Sequence, residues 1–296
     1  YDKNGHYVII ANSFICNEKF LIGNLLRPDR LSSFFGDELI LGSYFSRLLP
    51  LLLYLVMIIP KFNKNFIFHT IILFLTTLSV FLSGERVSFF YTILICFIYF
   101  IFCSIKLKNK LLFILLFFLS FFILLSTNSV IKERMFIQTL NQIKSSDEQK
   151  FYYFSKQHHA HAEAAIEMYF EKPIFGVGPK NFRKVCPNKI YTSKFACTSL
   201  PHNTFLQLLA ETGLLGSLIP LFLLVSIIIY YCKNLFKLLS KKKDEIHLPK
   251  IILIGCFFIT LFPFLPSGNF FTNHLNIIFY LPLGFFMYEF DRFLKK

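Results

Sequence analysis

Seven stretches of the chain run long, apolar and almost uncharged: about 39–60, 66–83, 87–105, 111–127, 205–232, 251–266 and 274–290. A membrane-crossing helix needs roughly 20 mostly apolar residues, fewer where basic side chains reach out from its ends. The pattern therefore predicts an all-α polytopic transmembrane helix bundle with at least seven spans. The sixth stretch ends in Phe262, Pro263, Phe264, Leu265 and Pro266, so it is expected to kink or to cross only part of the bilayer. The chain opens on Tyr1 and reads as the C-terminal part of a longer protein, which makes seven a lower limit.

The polar stretch between the fourth and fifth spans, 128–204, is where substantial structure outside the membrane can form. Within it, residues 158–172 (HHAHAEAAIEMYFEK) predict a helix, Pro173 stops it, and Gly176 and Gly178 make a turn. No internal repeat or low-complexity linker interrupts the chain. It divides into an N-terminal segment with spans one to four (1–127), a large, mostly helical loop (128–204), and spans five to seven with a Lys-rich connection (205–296).

Charge then orients the bundle. The connections after spans one, three, five and seven hold Lys61 and Lys64; Lys106, Lys108 and Lys110; Lys233, Lys237, Lys241, Lys242, Lys243 and Lys250; then Arg292, Lys295 and Lys296. The opposite short connections carry Arg86 alone. Positive residues near spans are retained in the cytoplasm. The N-terminal segment, Arg86 and the 128–204 loop are thus expected on the outer face. The long loop is itself basic, but loops beyond roughly 60 residues escape the rule.

Composition supports a lipid solvent: 55% of the 296 residues are hydrophobic and 19% aromatic, with 41 Phe and no Trp. A net charge of +14 raises nucleic acid as a partner. That reading needs a basic soluble face interleaved with accessible aromatics, and here the basic residues sit in short clusters between apolar runs. Cys186 and Cys197 share the outer loop, where they could be oxidised to a disulfide or stand as two free thiols. A bridge there would stabilise the fold by about 3 kcal/mol in the chain-entropy model.

Four features could carry chemistry. Arg86, in Ser83-Gly84-Glu85-Arg86, lies in a connection so short that it must sit near two helix ends; it could meet an anion or merely anchor the turn. Arg30 stands just ahead of the first span, and an Arg fork binds phosphate bidentately as Lys does not. Arg47, inside that span, is expected to snorkel outward as an interfacial anchor. The sharpest pattern is Pro201-His202-Asn203 followed by Gly213 and Gly216. Pro201 suits the first turn of a helix, which would set His202 at its positive end, where neutral imidazole is favoured and can act as a general base. Gly213 and Gly216 read as close helix packing in the membrane. His158, His159 and His161 fall at offsets that do not put three metal ligands on one helix face, so no metal is expected.

Taken together, Arg30-Leu31-Ser32-Ser33-Phe34-Phe35-Gly36, Ser83-Gly84-Glu85-Arg86, Pro173-Ile174-Phe175-Gly176-Val177-Gly178, and His202-Asn203 with Gly213 and Gly216 resemble the O-antigen ligase and polymerase family of bacterial membrane glycosyltransferases. The resemblance covers most of the chain and favours the ligase form, although Ser217 stands where ligases usually have Thr or Val. It implies a multi-pass protein of the bacterial inner membrane with its active site facing the periplasm. It further implies an undecaprenyl diphosphate-linked glycan as donor, lipid A-core or a growing glycan as acceptor, membrane lipids as surroundings, and no cofactor. By motif, Arg30 and Arg86 would hold the diphosphate and His202 would serve the acceptor. The family often has an Arg ahead of the helix leading to the Pro-Gly-Gly turn; His158 and His159 occupy that neighbourhood here, and that role is not transferred. The competing readings are O-antigen polymerisation, transfer to a protein hydroxyl, and an anion transporter, which would show broken helices from two repeats meeting at the midplane.

Overall fold

A computed structural model describes residues 26–27, 30–31, 35, 40–63, 65–140, 155–188, 197–242 and 245–294. Each of the seven apolar stretches forms a helix: α1 (Leu41–Ile58), α2 (Phe66–Leu82), α3 (Arg86–Phe102), α4 (Leu107–Thr127), α8 (Thr204–Leu239), α9 (Leu248–Thr260) and α10 (Asn273–Leu294). Three of them, α1, α4 and α8, are long and apolar enough to cross a membrane by length and composition. Between α4 and α8 come α5 (Ser129–Lys132), a π-turn over Glu133–Ile137, α6 (Lys156–Glu171) and the short α7 (Phe182–Val185). Ahead of α1, β1 (Leu26–Arg27) and β2 (Arg30–Leu31) pair antiparallel, with Arg27 opposite Arg30. Apart from that two-residue pairing, the regular structure of the described residues is helical, and the chain is a membrane protein.

The shortest apolar helix is the most enclosed. Residues Ile251 to Phe257, with Ile259 and Thr260, are all buried in α9, which lies against α1, α3, α8 and α10. A helix apolar on every side belongs in the interior. At Gly255 an added Cβ would lie 2.9 Å from Ile95 and 3.6 Å from Pro50, so the small residue lets α9 close onto α1 and α3. By contrast α4 exposes most of its side chains and buries only Phe117 and Phe121, of which Phe121 packs edge-on or tilted against the rings of Phe81 and Phe89. Exposed apolar surface on such a scale has lipid as its natural solvent.

Two boundaries differ from the sequence pattern. The sixth stretch was expected to run to residue 266, but α9 ends at Thr260 and residues 261–272 turn away as irregular chain. Pro263 and Pro266 cannot supply the N–H groups that would continue the helix. At 1.5 Å per residue, α9 covers about 20 Å of a hydrocarbon core of about 30 Å. The fifth stretch instead extends to Leu239, because the apolar run gives way at Lys233 to Lys-Asn-Leu-Phe-Lys-Leu-Leu, a sequence of good helix formers.

The helix expected over 158–172 is α6, begun two residues earlier because the Ser155 hydroxyl caps it by accepting from the His158 N–H. It ends at Glu171, just ahead of Pro173. Ala160, Ala164, Ala165 and Met168 form its buried face, and these small residues bring it against the first turns of α8 and Phe182 of α7. Cys186 and Cys197 are joined in a disulfide with Cα atoms 5.4 Å apart, tying α7 to the segment that leads into α8.

Candidate functional site

The start of α8 is built to hold one residue in an unusual backbone conformation. Asn203 is the N-cap, its side-chain oxygen accepting from the N–H groups of Phe205 and Leu206 at 3.0 and 3.1 Å. With the cap at Asn203, Pro201 lies outside the helix and not in its first turn. His202 therefore precedes the cap, with φ at 53°. A non-glycine residue in the left-handed region costs on the order of 1–3 kcal/mol, so the surroundings must impose it. They do so through the irregular chain after α9. The His202 carbonyl accepts from Ser267 N–H at 2.9 Å, Asn203 Nδ2 donates to Pro263 O at 2.7 Å, and Thr204 Oγ1 donates to Ser267 Oγ at 2.8 Å.

Held this way, the His202 imidazole meets two others from α6. Its ring centroid is 5.5 Å from that of His158 and 5.4 Å from that of His161, and those two are 6.2 Å apart. His158 and His161 are one helical turn apart on the face turned to α8. His159 points away and pairs with Glu163 at 3.3 Å. The His158 Nδ1 lies 2.7 Å from the Ser155 hydroxyl, which fixes that ring. Among the described residues no group of three His, Cys, Asp or Glu is arranged to hold a metal ion.

Burial and repulsion from neighbouring groups disfavour the charged forms of His202 and His158. Desolvation pushes His202 down from the ordinary 6.5 to about 4, and the neighbouring His158 and His161 push it the same way. His158 is lowered by desolvation, then by His161, then by the positive charge of Arg86. Arg86 is thus within electrostatic reach of the His158 imidazole. Its Nη1 donates to Thr139 Oγ1 at 2.9 Å, just past the π-turn.

The turn that presents Arg86 is locked by its neighbour. Gly84 takes φ 68°, and Glu85 folds back so that its carboxylate accepts from Gly42 N–H at 2.6 Å, Ser43 N–H at 3.0 Å and Ser88 Oγ at 3.0 Å. A carboxylate at the N-terminus of α1 satisfies two of its free amides and complements its dipole. Arg47 is not the outward anchor expected: it is buried beside this turn, with its guanidinium 5.1 Å from the Tyr91 ring centroid and Nη1 2.5 Å from Ser43 Oγ. Arg30 is described in its backbone alone, and its expected side-chain role lies outside the described residues.

A family profile described as O-antigen ligase matches residues 71–221, just over half of the chain. The chain belongs to the O-antigen ligase family. It is accordingly a membrane enzyme of the glycosyltransferase type, whose family works on glycans and lipid-linked substrates. No curated protein and no solved structure matches it. The matched residues include Arg86, His158, His161 and His202, whereas Arg30 falls outside them.

Gly213 of the ligase-type signature has a role that sequence reasoning missed. It is not the helix-packing residue expected: it breaks α8, at φ 65° and ψ −164°. The break frees the Leu214 and Leu215 N–H groups, which donate to Pro173 O and Ile174 O, while Val177 and Gly178 N–H donate to Ala210 O and Glu211 O. The fit is reciprocal. A Cβ at Gly213 would strike the Ile174 carbonyl, and one at Gly176 would meet Glu211 C at 2.5 Å. Gly216 faces Thr212 of its own helix.

Beside this break, Glu211 is fully buried and accepts from Lys180 N–H, Phe182 N–H and Gln207 Nε2, each at 3.0 Å. Gln207 also donates to Asn269 Oδ1 at 2.8 Å and accepts from Phe270 N–H at 2.9 Å. Glu211 and Gln207 thereby tie the loop after α6, the start of α8 and the chain after α9 into one block. Their signal was present in the sequence: an amide and a carboxylate one turn apart in an apolar helix must find partners.

Proposed function

We propose that this protein transfers an O-antigen-type glycan from undecaprenyl diphosphate to a hydroxyl of lipid A-core, at the periplasmic face of the bacterial inner membrane. The observation that carries the proposal is the meeting of a cation, Arg86, with a neutral imidazole, His202, through His158 at one end of the helix bundle.

In the reaction the acceptor oxygen attacks the anomeric carbon of the donor sugar, the bond from that carbon to the diphosphate oxygen breaks, and undecaprenyl diphosphate leaves. Arg86 neutralises charge on the diphosphate, and Arg30 is proposed as a second cation for it. His202 takes the proton of the acceptor hydroxyl. A diphosphate leaves readily once its charge is matched, so cationic clamping and proton removal suffice without a metal. The donor also conditions the base. At about 4 the free imidazole is a weak acceptor of protons. An arriving diphosphate brings negative charge that offsets the repulsion from His158 and His161, raising the imidazole toward the working pH, where a general base is most effective.

Gel analysis of lipopolysaccharide from a deletion strain tests the reading. Loss of all O-chain, with polymer retained on the lipid carrier, is the expected result. A single capped repeat would reassign the chain to polymerisation with a growing glycan as acceptor, and an unchanged ladder would move it to protein glycosylation or anion transport.

A further inference from the structure

The turn after α6 presents large apolar side chains where a water-facing loop would present polar ones. Phe170 is 73% exposed, Ile174 56% and Phe175 74%. Their position is fixed by the break in α8, since the Pro173 and Ile174 carbonyls accept from Leu214 and Leu215 N–H. Leu214 and Leu215 are themselves about half exposed and begin the apolar band that continues through Ile219, at 76%. The turn therefore prolongs the outward face of a helix long and apolar enough to cross a membrane. Within and just after it, Glu171, Lys172, Lys180 and Arg183 all lie at exposed positions, three cations to one carboxylate.

We propose that the 170–175 turn is a membrane-inserted tip: Phe170, Ile174 and Phe175 sit among the acyl chains of the leaflet, and the surrounding Lys and Arg side chains lie among anionic headgroups. An apolar wedge with a basic rim is the composition that holds an element at a bilayer surface, through buried apolar area plus attraction to anionic lipid. The continuity with α8 selects lipid over a protein partner, because the band that the turn extends belongs to a helix whose exposed face needs an apolar solvent. The same hydrogen bonds would tie α6, which carries His158 and His161, to a fixed depth at the membrane surface.

The absence of Trp from the sequence makes the test direct. The full chain carrying F175W, with I174W as the alternative should F175W fail to fold, is reconstituted into vesicles of phosphatidylethanolamine and phosphatidylglycerol. Its fluorescence is compared with that of K156W, at the opposite end of α6. Lipids brominated on their acyl chains should quench F175W roughly twofold and K156W hardly at all, as expected of an inserted side chain. Aqueous acrylamide should show the reverse preference. If acrylamide quenches F175W as strongly as K156W, the tip is in water and the proposal is overturned. Protection from both quenchers would overturn it too, since the tip would then be covered by protein.

Discussion

His202 combines a left-handed backbone, a buried ring and two imidazole neighbours, and each has a consequence that can be measured. Because its folded value is depressed from 6.5 to about 4, the fold resists its protonation. Above 6.5 the imidazole is neutral in folded and unfolded chains alike, and the full stability is present. As the pH falls from 6.5 toward 4 the unfolded chain takes up the proton first, so stability declines through that window. The acid limb of kcat/KM, which reports the donor-free enzyme, should likewise lie well below 6.5, and H158N, which removes one repelling neighbour, should move it upward. A pH–rate profile of the purified protein checks this. A limb at 6.5 unchanged by H158N would mean that His202 is not the titrating base. In the sequence, His202 was legible as a candidate from Pro201-His202-Asn203 and Arg86 from its short connection, and charge asymmetry set both on one side. The approach of His158 and His161 was not legible, since it depends on alanines of α6 packing against α8.

At the scale of the elements, apolar runs located all seven long helices, because hydrophobic length is a local property of the chain. What they could not locate were the places where helices stop or break for tertiary reasons. The segment 261–266 looked like the end of a span; together with Ser267 it is instead the strap that fixes His202 and Asn203. Gly213 looked like a packing residue and is a break into which the 173–178 turn is laced. G213A should therefore do more than lose helix packing. The added methyl meets the Ile174 carbonyl at a positive φ, costing on the order of 1–3 kcal/mol. The melting temperature in detergent should fall, and transfer should fall with it, because the turn and α6 lose their seat. A G213A protein as stable and active as wild type would show that the lacing contributes nothing.

Over the whole molecule, the turn bearing Arg86, the start of α8, α6 and the strap after α9 gather at one end of the bundle, while Lys61, Lys106 and Lys241 follow the ends of α1, α3 and α8. The division agrees with the charge asymmetry that predicts the outer face. In a variant with Cys16 and exposed Cys232 replaced by Ser, a membrane-impermeant thiol reagent applied to intact cells should label K180C and spare K241C. The opposite pattern would invert the molecule and remove the periplasmic assignment of the site.

The central claim is that Arg86 and His202 divide the work of glycan transfer between donor and acceptor. Transfer and donor binding by purified full-length H202A and R86K, with folding verified first, test it most directly. Loss of the base should lower H202A transfer by roughly 10²- to 10⁴-fold while donor binding persists. R86K keeps the charge but loses the bidentate fork, so it should weaken donor binding together with turnover. Near-normal transfer by H202A, or loss of donor binding by H202A with R86K unaffected, would contradict the account.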